Sequence, residues 1–186
     1  MQVKINIDGG SRGNPGIGAA AYVICDMQNT IVAQEGYFIP HCTNNQAEYT
    51  ALKLALIKAA ELKADELFIE SDSLLLVKQF SGEYKIKNPD LQSRMQVIRE
   101  LAKPFTIHIK HVLREFNKAP DALANKAMDA KESLGYNPIK HLPPDDEILV
   151  RNTPKPNTVN GVEVKPVRRK SPAKKSPAQP SLFDEF

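Results

Sequence analysis

Four acidic side chains, each placed at the end or start of a different predicted element, could together hold divalent metal ions. They are Asp8 in DGGSRGNPG, Glu48 in TNNQAEYTAL, Asp72 in ESDSLLL and Asp121 in NKAPDALANKA. Carboxylate oxygens are the ligands that Mg²⁺ prefers in proteins. Two such ions about 4 Å apart can activate a water and stabilise the leaving oxygen of a phosphodiester. Without a cation, four crowded carboxylates would raise each other's pKa.

Each acid taken alone has a plainer interpretation. An Asp after a strand is commonly a turn residue or a helix cap, and a Glu in the first turn of a helix favours the helix dipole. Only the combination of all four, each within its own string, favours a metal site over these structural roles.

The strands that must position the acids can be predicted from hydrophobic periodicity. Alternating apolar residues predict a first strand that ends at Asp8. Apolar segments at 18–25 and 30–38 predict two further strands, which we expect to be antiparallel neighbours in a meander.

A helix is predicted over residues 43–62, where Thr43 and Gln46 have the spacing of a capping box. Glu48 then lies in the first turns of this helix. The rest of the domain is predicted as a strand over 67–70 that delivers Asp72, helical segments at 73–80 and 89–102, a strand at 105–110 and a helix at 120–131.

The element order β-β-β-α-β-α-β-α predicts an α/β fold with a mixed sheet covered by helices. Ligands of such sheets bind beyond the carboxyl ends of the strands, where Asp8 and Asp72 are predicted to lie. Asp121 follows Pro120, a residue suited to the first helical position, so its carboxylate would stay ionised near the positive end of the helix dipole.

The four strings resemble those of type 1 ribonuclease H, nearest its compact archaeal-like and bacterial-like branch, from residue 1 to about 131. The resemblance implies a ribonuclease H-like mixed five-stranded sheet flanked by helices, with the first strand central and beside the fourth. It implies an endoribonuclease that hydrolyses the RNA strand of RNA–DNA hybrids by two-metal-ion catalysis and leaves 5′-phosphate products. The implied cofactor is a pair of Mg²⁺ ions, with Mn²⁺ as an alternative.

The resemblance also assigns roles to individual residues. Asp8 would bridge both metals, with Glu48 and Asp72 on one ion and Asp121 on the other. The residues implied to contact the minor groove of the hybrid are Gly13, Asn14, Asn44, Asn45 and Gln46. Neutral donors and acceptors suit the recognition of a 2′-hydroxyl. The glycine-rich string could equally be only a tight turn, and Asn44 or Asn45 could be helix caps.

Two residues are candidates for a basic group that assists product release. His111 stands ten residues before Asp121, a spacing that matches the mobile histidine of the family, and Arg114 stands seven before it. The spacing does not decide between them, and a histidine at a strand end is commonly a surface residue. The chain departs from larger relatives because it has no tryptophan and no basic handle between helices, so we expect a weaker grip on the hybrid.

Composition divides the 186 residues into a domain and an appendage. Residues 1–150 carry 17 Lys and Arg against 19 Asp and Glu, whereas 151–186 carry 8 against 3. Nine of the fourteen prolines follow residue 137. We therefore predict a catalytic domain over 1–136 and a disordered linker rich in Pro and Lys over 137–178, because the linker has few core-forming residues.

The last residues, 179–186, form a candidate partner peptide. Gln179, Leu182 and Phe183 resemble the bacterial sliding-clamp-binding motif, which would connect the protein with DNA replication. The basic run before them would attract phosphates in a salt-dependent manner, or serve only solubility.

Other classes of protein are less compatible with the sequence. Cys25 and Cys42 have neither metal-ligand spacing nor a disulfide framework, and there is no signal peptide or membrane-spanning stretch. We expect a cytoplasmic monomer with no membrane partner. Two alternatives stay open: a hybrid-binding module without turnover, and a domain derived from a retroelement polymerase.

Overall fold

The fold is built on a mixed β-sheet in a computed structural model that describes residues 1–151, 158–159 and 162–163. The strands of this sheet are β1 Gln2–Gly13, β2 Gly16–Cys25, β3 Ile31–Cys42, β4 Glu66–Ser71, β5 Thr106–His111 and β6 Leu134–Tyr136. Their order is β5-β4-β1-β2-β3-β6. β1 pairs antiparallel with β2 and parallel with β4, which confirms the predicted meander and the central first strand.

Five α-helices accompany the sheet in the described part of the chain. They are α1 Asn44–Glu61, α2 Leu74–Phe80, α3 Pro89–Ala102, α4 Lys118–Ala130 and α5 Asp145–Arg151. The predicted capping box starts α1, since the Thr43 hydroxyl accepts from the Gln46 N–H and the Gln46 side chain accepts from the Thr43 N–H at 2.8 Å. No helix in this described part has both the length and the apolar character needed to cross a bilayer.

The two faces of the sheet bury different cores because successive strand residues point to opposite sides. Ala20, Tyr22 and Ile24 of β2 belong to the larger cluster, which α1 and α3 complete. The short side chains of Ala19 and Ala21 on β2 face α4 in a smaller cluster, where they meet Ala124, Ala127 and Met128. These short side chains allow α4, which carries Asp121, to lie close to the sheet.

Two element boundaries next to the acids differ from the prediction. β1 does not end at Asp8 but continues to Gly13, because its second half stays paired with β2 through Gly13 and Gly16. α4 begins at Lys118, so Pro120 is the third helical residue and not the first. A proline is tolerated there because the first N–H groups of a helix have no intrahelical partner.

The sheet has six strands where five were predicted. The additional strand, β6, pairs antiparallel with β3 and contains only three residues. A segment of this length is too short to show the alternation by which strands are predicted.

The compact unit extends beyond the predicted boundary at 136 and includes the described residues up to Arg151. Residues 137–151 are therefore not a disordered linker, because polar contacts and a buried apolar side chain hold them on the domain. Lys58, 1% exposed, donates to the Pro138 carbonyl at 2.8 Å, and the Ile139 N–H donates to Glu35 Oε2 at 3.1 Å. Ile148 of α5 is buried.

A second unit follows and is described only in part. Its described residues form an antiparallel pair of two-residue strands, β7 Thr158–Val159 and β8 Val162–Glu163. Most of the rest of the predicted linker and the whole candidate peptide 179–186 lie outside the described residues.

Candidate active site

The four predicted acids line one cleft of about 340 Å³. β1 and β4 are parallel, and their last paired residues are Ile7 and Ser71. Asp8 and Asp72 are the next residues along the two strands, so they lie side by side where the β1–β4 pairing ends.

Gly9 allows Glu48 to approach these two acids. A Cβ atom at Gly9 would overlap the backbone of Ala47 and of Glu48 itself. The absence of a side chain at position 9 thus lets the first turns of α1 lie directly against β1. Glu48 reaches the cleft from α1 for this reason.

Glu48 is held by two hydrogen bonds. Ser73 donates its hydroxyl to Glu48 Oε2, and Asn44 donates to Oε1 at 3.1 Å. Ser73 is also the N-cap of α2, because its oxygen accepts from the Leu76 N–H. This role of Ser73 was not predicted from the sequence, although a serine at the start of a predicted helical segment is a signal for a cap.

Asp72 is held by Asn117, a residue that was not predicted as part of the site. Asn117 is 1% exposed, and its side-chain amide donates to Asp72 Oδ1 at 3.2 Å and to the Ile7 carbonyl at 2.8 Å. The residues in contact are far apart along the chain, so no local pattern indicates the contact.

Of the two candidate basic groups, the structure places Arg114 among the acids. Its guanidinium donates to Asp121 Oδ1 at 2.7 Å and it lines the cleft. His111 lies exposed at the end of β5 and is not among the described residues that line the cleft. Arg114 thus partly neutralises Asp121, whereas His111 has no such contact there.

Burial and mutual repulsion shift the proton affinities of the acids. Burial first, and then the charges of Asp72 and Asp121, raise the pKa of Asp8 to about 7. Burial also raises the pKa of Glu48 to about 7, although the hydrogen bond from Ser73 opposes the shift. A divalent cation bound here would displace these protons, so its apparent affinity rises as the pH rises through about 7.

The donor set fits a hard divalent cation, because all four side chains offer carboxylate oxygens. In the part of the chain that the structure describes, no three His, Cys, Asp or Glu side chains are gathered tightly enough to hold one ion as they stand. In this arrangement Arg114 contacts Asp121, and Ser73 and Asn44 contact Glu48.

The candidate substrate residues fall into two groups. Gly13, with φ +96°, is the last residue of β1, and Asn14 follows it in the turn to β2. Asn14 Oδ1 accepts from the Asn44 N–H at 3.2 Å. Asn44 is exposed and lines the cleft. Asn44 and the adjoining Asn14 therefore form a polar rim at one side of the cleft.

The other candidate substrate residues lie in the first turn of α1. Both polar atoms of the Gln46 side chain have partners: Oε1 accepts from the Thr43 N–H in the helix cap, and Nε2 donates to Asp90 at 2.8 Å. Asn45 is half-buried. The interpretation of Asn44 or Asn45 as helix caps is wrong, since Thr43 is the N-cap.

Comparison with known proteins agrees with this geometry. A family model described as reverse transcriptase-like matches residues 6–127. Ribonuclease HI of Halobacterium salinarum is 43% identical over 129 residues, which are 69% of this chain and 65% of that protein. The match covers a smaller share, 36%, of the length of the mycobacterial relatives.

Solved structures show the same fold. The crystal structure of RNase H1 from Halobacterium salinarum has 42% identity and a TM-score of 0.68, covering 70% of this chain and 99% of that one. LC11-RNase H1, solved in complex with an RNA/DNA hybrid, has 33% identity and a TM-score of 0.65, covering 69% of this chain and 98% of that one.

The sheet order and the acidic cleft define a ribonuclease H-like domain. With the family match and the identity to these relatives, the chain belongs to the type 1 ribonuclease H family.

Proposed function

We propose that this protein is an endonuclease that hydrolyses the RNA strand of RNA–DNA hybrids with divalent metal ions and leaves 5′-phosphate ends. The observation that carries the proposal is the meeting of Asp8, Glu48, Asp72 and Asp121 in one cleft. The relative solved with an RNA/DNA hybrid supports the choice of substrate.

Asp8 is the central carboxylate of the proposed metal site. Its charge interacts with those of Asp72 and Asp121, and it also raises the pKa of Glu48. This position suits a ligand shared by two cations, with the other acids on either side. Two bound Mg²⁺ ions would supply activation of the attacking water and stabilisation of the leaving 3′ oxygen.

Arg114 is the basic group that the geometry favours over His111. Its pKa is raised by the hydrogen bond and charge of Asp121, so the guanidinium stays protonated at any physiological pH. The guanidinium is exposed, so it can turn from Asp121 to a phosphate oxygen of the substrate or product.

The polar rim can distinguish the RNA strand from DNA. Asn14 and Asn44 present uncharged donors and acceptors next to the acids, which is the chemistry that recognises a 2′-hydroxyl. Cleavage would then be confined to the strand whose hydroxyls meet this rim.

The proposal is tested with an RNA–DNA hybrid labelled on the RNA strand, compared with duplex DNA and single-stranded RNA of the same sequence. We expect cleavage of the hybrid alone, only when Mg²⁺ or Mn²⁺ is present, with 5′-phosphate on the downstream fragments. Binding of the hybrid without cleavage at any concentration of either metal would instead identify a binding module and contradict the proposal.

We further propose that residues 179–186, which lie outside the described residues, bind a bacterial sliding clamp. The support is the match of Gln179, Leu182 and Phe183 to the motif, within the segment 151–186 that carries the net positive charge.

Deletion of 179–186 should abolish retention on immobilised clamp and leave hybrid cleavage unchanged. The double substitution Leu182→Ala and Phe183→Ala should have the same effect as the deletion. Equal retention of the full chain and of both variants would contradict clamp docking. Deletion of 154–186 should additionally weaken the salt dependence of hybrid affinity if the basic run contacts phosphates.

A further inference from the structure

We propose that Asn117 is a positioning residue that ties together three of the four acid-bearing segments and thereby sets the divalent-cation affinity of the cleft. The inference deepens the proposed function and rests on it for its catalytic consequence. Its effect on cation binding can be measured without substrate.

The amide nitrogen of Asn117 donates both of its hydrogens to segments that carry acids of the cleft. One is donated to the carbonyl of Ile7, the residue directly before Asp8, at 2.8 Å. The other is donated to Asp72 Oδ1 at 3.2 Å. A single buried side chain thus holds the backbone next to one acid and the carboxylate of another.

The amide oxygen of Asn117 extends the network across the strands below the acids. It accepts from Asn6 Nδ2 at 3.3 Å, and the same nitrogen donates to Glu70 Oε2 at 3.1 Å. Asn6 and Glu70 are paired neighbours on β1 and β4. The hydrogen bonds therefore fix the separation of the two strands one residue before Ile7 and Ser71.

The third segment is α4, whose N-cap is Asn117 itself. Asparagine is favoured at this position because its side-chain oxygen usually accepts from an N–H of the first turn. Here the side chain makes no such bond, since its oxygen is directed to Asn6. The backbone still joins Asp121 to the network, because the Asp121 N–H donates to the Asn117 carbonyl at 3.4 Å.

This network fixes how the carboxylates face a cation. A buried polar network whose members are all satisfied holds its side chains in one arrangement. Hydrogen-bond partners that orient metal ligands typically change metal affinity or activity by about 10–100-fold when they are removed. Asn117 contacts Asp72, one of the carboxylates that would hold the cation, in this way.

The test is a calorimetric titration of the full chain with Mg²⁺ alone, followed by hybrid cleavage as a function of Mg²⁺ concentration. Asn117→Ala should raise the dissociation constant for Mg²⁺ by about tenfold or more. The half-activating Mg²⁺ concentration should rise by the same factor. Asn6→Ala keeps both donors of Asn117 and should give a smaller shift in the same direction.

Val97→Ala is the control for a loss of stability. Val97 is fully buried on α3 and lies outside the cleft. This variant should unfold at a lower temperature but bind Mg²⁺ with the affinity of the wild type. If Asn117→Ala does not fold, Asn6→Ala is the deciding variant, and a wild-type dissociation constant for it would then overturn the proposal.

The outcomes separate this inference from the proposed function. A wild-type Mg²⁺ affinity in folded Asn117→Ala overturns the positioning role, whether or not the protein cleaves hybrids. A wild-type protein that binds Mg²⁺ but cleaves no hybrid overturns the proposed function, while a weakened affinity in Asn117→Ala still supports the positioning role.

Discussion

Replacing Asp8 by asparagine should lower the rate of hybrid cleavage by about 10³-fold or more. Asp8 is the carboxylate whose charge interacts with all three other acids, so its loss removes the oxygen that two cations would share. Metal-ion stabilisation of transition-state charge amounts to several kcal/mol, and each 1.36 kcal/mol is about a factor of ten in rate. The rate is measured on a labelled hybrid at saturating Mg²⁺.

The same substitution should not destabilise the metal-free protein. The pKa of Asp8 is about 7 in the folded state and 3.8 in its ordinary environment, so folding favours the protonated form. This contribution to stability is present below pH 3.8 and is lost as the pH rises through about 7. At pH 8 without divalent metal, Asp8→Asn should therefore unfold at a temperature equal to or above that of the wild type.

Asp65→Asn is the matched control. Asp65 pairs with the amino terminus at the other end of the β1–β4 pairing from the cleft. The substitution therefore removes one carboxylate without touching the proposed site. We expect the wild-type rate. Undiminished cleavage by Asp8→Asn would refute the metal site, and an equal loss in both variants would show that the effect is not specific to the cleft.

The meeting of the acids could be predicted from sequence because three of them are tied to a local signal. Asp8 follows the alternating apolar residues of β1, Glu48 follows a capping box, and Asp72 follows a short apolar run. The parallel pairing of β1 and β4 then brings two of them to one edge of the sheet. Local patterns and one rule of topology were sufficient for this part of the site.

The contacts that hold the acids could not be predicted in the same way. The Asn117 amide reaches Ile7 and Asp72, which are distant in sequence, and its own local signal indicates a helix cap that it does not form. Arg114 and His111 are both plausible by spacing. Only the path of the chain after β5, which turns into a 3-10 helix at Arg114–Phe116, places one of them at Asp121.

The packing of segment 137–151 on the domain was not predicted, because its proline content indicated a linker and its few apolar residues are separated from one another. Its contacts are made with residues buried in the domain, such as Lys58 and Glu35, which a sequence alone would place at the surface. A buried lysine or glutamate needs a partner. Here the segment itself supplies partners in the Pro138 carbonyl and the Ile139 N–H.

Gly9→Ala should lower the cleavage rate by about 10²-fold although it changes no acidic residue. The added Cβ would overlap the backbone of Ala47 and Glu48, and backbone cannot turn away as a flexible side chain can. The start of α1 must then move from β1, and a displacement of about 1 Å in a catalytic arrangement can cost about 10²-fold in rate. Overpacking of this kind also costs about 1–3 kcal/mol of stability.

Gly135→Ala separates the loss of geometry from the loss of stability. A Cβ there would overlap the carbonyl oxygen of Gln34, where β6 pairs with β3 at the edge of the sheet. This variant should lose stability in thermal unfolding and keep the wild-type cleavage rate, because neither of these two strands carries any of the four acids of the cleft. Full activity in Gly9→Ala would show that the approach of α1 to β1 does not set the position of Glu48. Equal losses of rate in the two variants would trace the effect to stability, whereas a loss confined to Gly9→Ala traces it to the distance between Glu48 and Asp8.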